Sequence, residues 1–238
     1  MTKLVLFDID GTLVLTGRAG IRAMNRACEE VIGHVGALDG IPVAGRTDWI
    51  ILHDALGAIG HALDDDLFAR LRDAYVGHLE EAIAEPGEGV KAVMPGIRPL
   101  LDTLAARPDV FLALLTGNFE RSARIKLAHF DLWRYFRCGA FGDDAADRNA
   151  LVPFALERAN GCGLEAIPPE SIFVIGDTPH DVECANAIGA KTIAVSTGGY
   201  SFDELEAHHP WRVMAELPPA DEFLRLIGAG PAAPRQTT

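Results

Sequence analysis

The chain has 238 residues, of which 49% are hydrophobic, 23% charged and 7% aromatic, enough for one large domain or a domain carrying a smaller insertion. This composition excludes a wholly disordered chain, a collagen and a coiled coil. Its 21 basic and 34 acidic residues give a net charge of -13, and no basic run stands ready to neutralise a polyanion, which argues against nucleic acid as a partner. A small phosphorylated molecule is a different case, because one local cation or a metal ion suffices to hold it.

In chain order, the first apolar run is Lys3 to Phe7, ending at Asp8. It is too short for a signal segment, and no stretch approaches the ~20 apolar residues of a membrane helix, so the expectation is a soluble, cytoplasmic protein. From about Leu15 to Gly89 the pattern is helical. Ile21, Met24, Cys28 and Val31 mark one amphipathic helix, and Leu67, Leu71, Tyr75, Leu79 and Ile83 mark another. With no strand run between them, residues 15–89 are expected to form an inserted helical domain, bounded by hinges at Leu13–Gly17 and Glu85–Gly89.

Beyond the insertion, apolar runs recur at Val110–Leu115, Ile172–Ile175 and Thr192–Val195, each ending in a small or acidic residue. Continuous apolar strands of this kind suit a parallel sheet covered on both faces. Helical spacing at Ile97, Leu100, Leu101 and Leu104, and again at Val152, Ala155, Leu156 and Ala159, alternates with them. The fold class is therefore α/β, a doubly wound, mainly parallel sheet built from residues 1–14 and 90–228. Residues 229–238 are expected to be a disordered tail, and no internal repeat is present. The four cysteines, at 28, 138, 162 and 184, form no CxxC pair, which speaks against structural zinc or a disulfide framework.

Chemistry concentrates at three strand ends. Asp8-Ile9-Asp10-Gly11-Thr12-Leu13 follows the first run, and alternation along an extended segment sends Asp8 and Asp10 to one side. Two carboxylates that close require either a cation between them or a proton on one of them. Thr116-Gly117-Asn118 ends the second run. It reads either as a cradle for phosphate oxygens or as a helix cap. Gly176-Asp177-Thr178-Pro179-His180-Asp181 ends the third and aims Asp177 and Asp181 at the same pocket, or spends one of them on capping the next helix. Oxygen-only ligands select a hard cation, with Mg²⁺ as the expectation.

In the insertion, Gly45-Arg46-Thr47-Asp48 is a polar loop between apolar segments. It reads as a solvated interhelical turn with Asp48 as a helix cap. Trp49 reads as cap core, and His180, His208 and His209 as structural or surface residues.

The DxDGTL box, the strand-end threonine and the GDxxxD box, in that order, resemble the haloacid dehalogenase superfamily. The resemblance is to its phosphoglycolate-phosphatase-like branch, which carries a helical cap after the first motif, and it extends to about Gly199. It implies a Mg²⁺-dependent phosphomonoester hydrolase acting on a small phosphorylated metabolite through an aspartyl-phosphate, as a monomer or homodimer. By the same resemblance Asp8 is the nucleophile and Asp10 the acid and base. The metal is held by Asp8, the Asp10 backbone carbonyl and Asp177, with Asp181 contributing directly or in support. Thr116, Gly117 and Asn118 would bind phosphate, and Arg46 and Thr47 would contribute to substrate choice.

One departure stands out. The family's motif lysine has no counterpart between Phe141 and Arg158; Arg148 is the expected substitute and Lys126 the alternative. A sugar-phosphate mutase shares the DxDG apparatus and stays open as the second reading. Less favoured are a haloacid dehalogenase, which would not need Asp10 or Asp177, and a non-catalytic protein that has kept the fold.

Overall fold

The four apolar runs all become strands, and their alternation explains how the sheet is sandwiched. In the computed structural model, which describes residues 1–230, β1 (Lys3–Phe7) leads through β2 (Val14–Thr16) into three helices, α1 (Ala19–Ile32), α2 (Asp48–Ala58) and α3 (Asp65–Ala84). The chain returns through β3 (Lys91–Val93), α4 (Ile97–Ala105), β4 (Val110–Leu115), α5 (Glu120–His129), β5 (Gly139–Ala140) and α6 (Leu151–Gly161). It finishes with β6 (Ile172–Gly176), α7 (Pro179–Ala187), β7 (Lys191–Val195), α8 (Phe202–Glu206), β8 (Arg212–Met214) and α9 (Ala220–Leu226).

Six strands form one parallel sheet in the order β5-β4-β1-β6-β7-β8. Because successive side chains point to opposite faces, Val5 and Phe7 join a core with α4, α5 and α9, while Leu4 and Leu6 join another with α6 and α7. β5 and β8, which carry no long apolar run, are short edge strands and were not expected. Among the described residues no helix is long and apolar enough to cross a membrane. Ala229, at the start of the expected tail, is buried in the sheet core, and its N–H donates to the Leu224 carbonyl at 2.9 Å. Residues 231–238 lie outside the described residues.

The first expected hinge, Leu13–Gly17, pairs with the segment just after the second. β2 and β3 form an antiparallel ladder with Val14 opposite Val93 and Thr16 opposite Lys91, so the chain leaves and re-enters the core through one ribbon. Gly17 and Gly87 meet at its end. A Cβ on Gly17 would lie 2.9 Å from the Gly87 Cα, and Gly17 has φ +58°, so both contact and backbone call for glycine there.

The helical insertion has its own apolar cluster, in which Met24, Cys28, Leu52, Leu56, Leu71, Tyr75 and Leu79 pack together with Phe119 from the start of α5. Trp49 is half-buried against this cluster, stacked on His53 at 5.1 Å. The 45–48 segment is neither a solvated turn nor capped by Asp48: Thr47 is the N-cap of α2, accepting from the Ile50 N–H, and its hydroxyl donates to the Ala146 carbonyl at 2.7 Å. Asp48, only 6% exposed, reaches the sheet domain. Its Oδ2 accepts from the Phe119 N–H at 2.8 Å and the Ser122 hydroxyl at 3.0 Å, where the dipole of α5 favours an anion.

Burial nonetheless pushes the Asp48 carboxyl up to about 6, against the pull of Lys126 and these two donors. A folded-state value above the unfolded one means that the folded chain binds the extra proton. Stability from this group is therefore present at acidic pH and lost as pH rises from about 4 to about 6. A shift of this size corresponds to about 3 kcal/mol. Urea unfolding of wild type and Asp48→Asn at pH 4.5 and 7 should show the variant gaining on the wild type at the higher pH; an equal difference at both would contradict the assignment.

Candidate active site

The carboxyl ends of β1, β4 and β6 converge on a cavity of about 500 Å³ whose far wall is supplied by α1, α2, α3 and the loop before α2. Ligand sites of open parallel sheets form at this edge. The Asp8 N–H continues the ladder by donating to the Ile175 carbonyl at 2.9 Å, which fixes the start of the DxDG turn against β6. Gly11, at φ +82°, then allows the chain to double back, its N–H donating to the Val14 carbonyl at 3.0 Å.

The carboxylates of Asp8, Asp177 and Asp181 each offer an oxygen within 4.8 Å of the others, and all three are buried. Burial raises Asp8 to about 6, although Arg148 opposes it, and holds Asp177 well above the usual carboxylate range with Asp8 and Asp181 adding repulsion. Asp181 is spent within the protein. Its Oδ2 accepts from the Thr178 N–H at 3.0 Å and hydroxyl at 2.7 Å, closing a capping box on α7, and its Oδ1 takes Arg148 at 2.5 Å. Both alternatives raised for the GDxxxD box thus apply to different acids, Asp181 capping and Asp177 facing the cavity.

Asp177 is held by the Thr12 hydroxyl, which donates to Oδ1 at 3.1 Å. Its Oδ2 is pressed between glycines: a Cβ on Gly11 would lie 2.4 Å away and one on Gly198 only 1.7 Å away. These residues fit a small, hard cation. Asp8 and Asp177 offer oxygen donors, and the glycines leave the close approach that a larger residue would block.

Two cations complete the polar floor. Arg148, only 6% exposed, is not a surface residue: its Nη2 lies 2.8 Å from Asp8 Oδ1 as well as 2.5 Å from Asp181, and its Nη1 donates to the Gly45 carbonyl at 2.9 Å. Lys126 sits on the other side, with Nζ 2.6 Å from Asp10 Oδ2 and 2.5 Å from Asn118 Oδ1. The flanking Asp10 and Asp48 charges outweigh its burial, keep its proton affinity above the ordinary lysine value and leave it charged.

The second motif does not cap α5. Asn118 borders the cavity and donates through Nδ2 to Asp10 Oδ2 at 2.9 Å and to the hydroxyl of Thr116 at 2.8 Å, Thr116 itself being fully buried. The free N–H groups at the start of α5 go instead to Asp48 and to Asp143, which accepts from the Glu120 N–H at 2.6 Å. Gly117 serves close approach: a Cβ there would lie 2.2 Å from the Arg46 carbonyl, and its own carbonyl accepts from the Asp48 N–H at 2.7 Å.

The residues expected to set substrate choice are differently occupied. Arg46 borders the cavity, but its guanidinium donates to Asp54 at 2.5 Å and to the Pro42 carbonyl at 3.0 Å. Thr47 is buried in its cap bonds. His180 faces Glu183, and His208 and His209 are exposed, away from the cavity. Site residues to which sequence reasoning gives no role of their own are Thr12, Tyr75 and the Thr197-Gly198-Gly199 turn, and Asp48 reads there only as a cap. Only the turn carries a local signal, a glycine pair directly after a strand.

Comparison with known proteins agrees with this geometry. Residues 5–195 match the family model described as haloacid dehalogenase-like hydrolase. The chain is 29% identical over 199 residues to the tyrosine-protein kinase PtkA of Mycobacterium tuberculosis, covering 82% of this chain and 62% of that one. It is 28% identical over 222 residues to a phosphoglycolate phosphatase of Pseudomonas putida, covering 91% and 78%. In fold it is similar to the crystal structure of a hydrolase from Pseudomonas syringae, with a TM-score of 0.67 at 23% identity over 95% of this chain and 98% of that one. With its sheet topology, its buried strand-end aspartates and its inserted helices, the chain belongs to the haloacid dehalogenase-like hydrolase family.

Proposed function

We propose that the protein is a Mg²⁺-dependent phosphomonoester hydrolase acting on a small phosphorylated metabolite, with residues 1–14 and 90–228 as the catalytic core and 15–89 as the cap. The observation that carries this reading is the charge imbalance of the floor. Three buried carboxylates, Asp8, Asp177 and Asp181, meet one guanidinium, Arg148, beside a cavity of metabolite size. Phosphatase names among the relatives, such as that of Pseudomonas putida, support it.

Asp8, Asp177 and the Asp10 backbone carbonyl would hold Mg²⁺, with Asp181 acting only by positioning Arg148 and the start of α7. When bound, the ion supplies positive charge between the Asp8 carboxylate and the phosphate dianion, which otherwise repel. The Asp8 carboxylate attacks phosphorus as the ester P–O bond breaks, leaving an aspartyl-phosphate. Asp10 gives its proton to the departing alcohol oxygen and then takes one from the water that attacks the aspartyl-phosphate, releasing inorganic phosphate and restoring both carboxyl groups. Lys126 and Asn118 both hold Asp10 through Oδ2, which leaves Oδ1 without a hydrogen-bond partner among the described residues and turned to this task. Thr116, Asn118 and the Gly117 N–H form the cradle for phosphoryl oxygens.

Arg148 takes the part of the absent motif lysine, and its fork does what an ammonium cannot. One guanidinium bridges Asp8 and Asp181 while also reaching the Gly45 carbonyl of the cap.

Release of inorganic phosphate from an aryl phosphate should require Mg²⁺, stop with chelator and vanish in Asp8→Asn. Mg²⁺ should also raise the melting temperature of the wild type but not of Asp177→Asn. Turnover that survives either the chelator or Asp8→Asn would overturn the reading, and phosphate moved within the substrate without release would indicate a mutase. Arg148→Lys should lower kcat/KM by about 10-fold or more, since a lysine cannot span all three oxygens; unchanged kinetics would remove Arg148 from this role.

A further inference from the structure

On the cap side of the cavity one polar group stands without a partner. The Tyr75 hydroxyl is fully buried, borders the cavity and, although the Ser122 side chain lies near enough to influence it, makes no hydrogen bond of normal geometry among the described residues. A buried hydroxyl left unpaired costs about 1–3 kcal/mol, so such a group in a cavity wall calls for a ligand atom or a water. Beside it lies Gly20, in the first turn of α1. A Cβ there would sit 3.5 Å from Lys126 Nζ and 3.6 Å from the Tyr75 hydroxyl, so any longer side chain would fill the space between them. Glycine within a helix costs about 1 kcal/mol relative to alanine, and here it leaves a slot open.

Lys126 spends two of its three N–H donors on Asp10 and Asn118. The slot therefore offers an ammonium donor and a phenol, and it accepts an oxygen. The charge around it selects which kind. Lys126 is already ion-paired with Asp10 at 2.6 Å, so its charge is spoken for and its remaining N–H suits an uncharged oxygen better than a second anion. Lys126 Nζ lies 2.6 Å from Asp10 Oδ2, which puts the slot next to the group serving the ester oxygen. Farther out the wall is mainly apolar, formed by Leu15, Ile21, Met24, Val43 and Ile51, with Arg18 and Arg46 also on the cavity lining.

Building on the phosphatase reading, we propose that the substrate is the phosphate ester of a mainly hydrocarbon alcohol that carries an uncharged oxygen on the carbon next to the ester carbon. That oxygen seats between Tyr75 and Lys126 in the space left by Gly20. The hydroxyl of Tyr75 is held well above its ordinary proton affinity by burial and by Asp48 and Asp10, so it stays a donor throughout the working range. The same slot disfavours a short ester whose neighbouring group is a carboxylate, including phosphoglycolate.

The test compares hexane-1,2-diol 1-phosphate, hexyl phosphate and phosphoglycolate with Mg²⁺ present. Wild type should prefer the diol ester by 10-fold or more in kcat/KM over either of the others. Tyr75→Phe, which keeps the ring, should bring the diol-to-hexyl ratio close to one, and Gly20→Val should do the same. A mere folding defect would lower both esters together and leave the ratio intact. Equal use of diol and hexyl esters by the wild type, preference for phosphoglycolate, or a ratio that survives Tyr75→Phe would each overturn the proposal. If none of the three is hydrolysed, the aryl phosphate assay decides the phosphatase reading separately, and calorimetric binding of the matching phosphonates decides the slot. A 10-fold preference for the hydroxylated phosphonate that Tyr75→Phe removes upholds it, and no preference overturns it.

Discussion

Three buried carboxylates, two at the ends of neighbouring strands and one in the first turn of α7, set the terms for everything around them. Asp8, Asp177 and Asp181 lie too close together to be charged without compensation, and burial raises the proton affinity of Asp8 and Asp177. The protein supplies only part of that compensation. Arg148 offsets two of the acids at once, and Thr12, Thr178 and the α7 capping box fix their directions. The remaining negative charge suits the site to a hard cation, on which the proposed handling of a phosphate depends. Gly11 and Gly198 belong to the same arrangement, since a side chain at either would enter the space occupied by Asp177 Oδ2.

The cap is tied into this electrostatic floor rather than resting above it. Arg148 reaches from Asp8 to the Gly45 carbonyl, Gly117 admits the Arg46 carbonyl, and Asp48 crosses from α2 to satisfy the start of α5. Seating the cap thus fixes groups that also hold Asp8. The β2–β3 ribbon, with Gly17 against Gly87 at its end, is the one covalent route between the two parts. A cap linked this way can admit substrate and then exclude water from the first step. Lys126 connects the two tasks, touching Asp10 on the floor and bordering the slot beneath the cap.

Much of this was legible in the sequence because the governing signals are local. Apolar runs marked the four central strands, and the DxDGTL and GDxxxD boxes placed Asp8, Asp10, Asp177 and Asp181 at strand ends. The shortage of lysines drew attention to Arg148 and Lys126, yet the sequence set them against each other, whereas both are buried in the site and serve different acids. What escaped depends on long-range packing. β5 and β8 exist because a neighbouring strand offers an edge, and β2 and β3 because two distant segments meet. Tyr75 falls on the apolar stripe of α3, where its ring belongs, and nothing in that periodicity tells that its hydroxyl borders a cavity. Asp48 looked like a cap for its own helix, but the three-dimensional fold sends its carboxylate to another one.

The central claim is that Asp8 becomes covalently phosphorylated during turnover. Its most direct test is to quench the enzyme in acid while it turns over a ³²P-labelled ester with Mg²⁺ and to locate the label by mass spectrometry. The account predicts a hydroxylamine-labile acyl phosphate on Asp8, within the tryptic peptide from Leu4 to Arg18. A hydroxylamine-stable label on a tyrosine, or turnover with no phosphorylated enzyme at all, would contradict it.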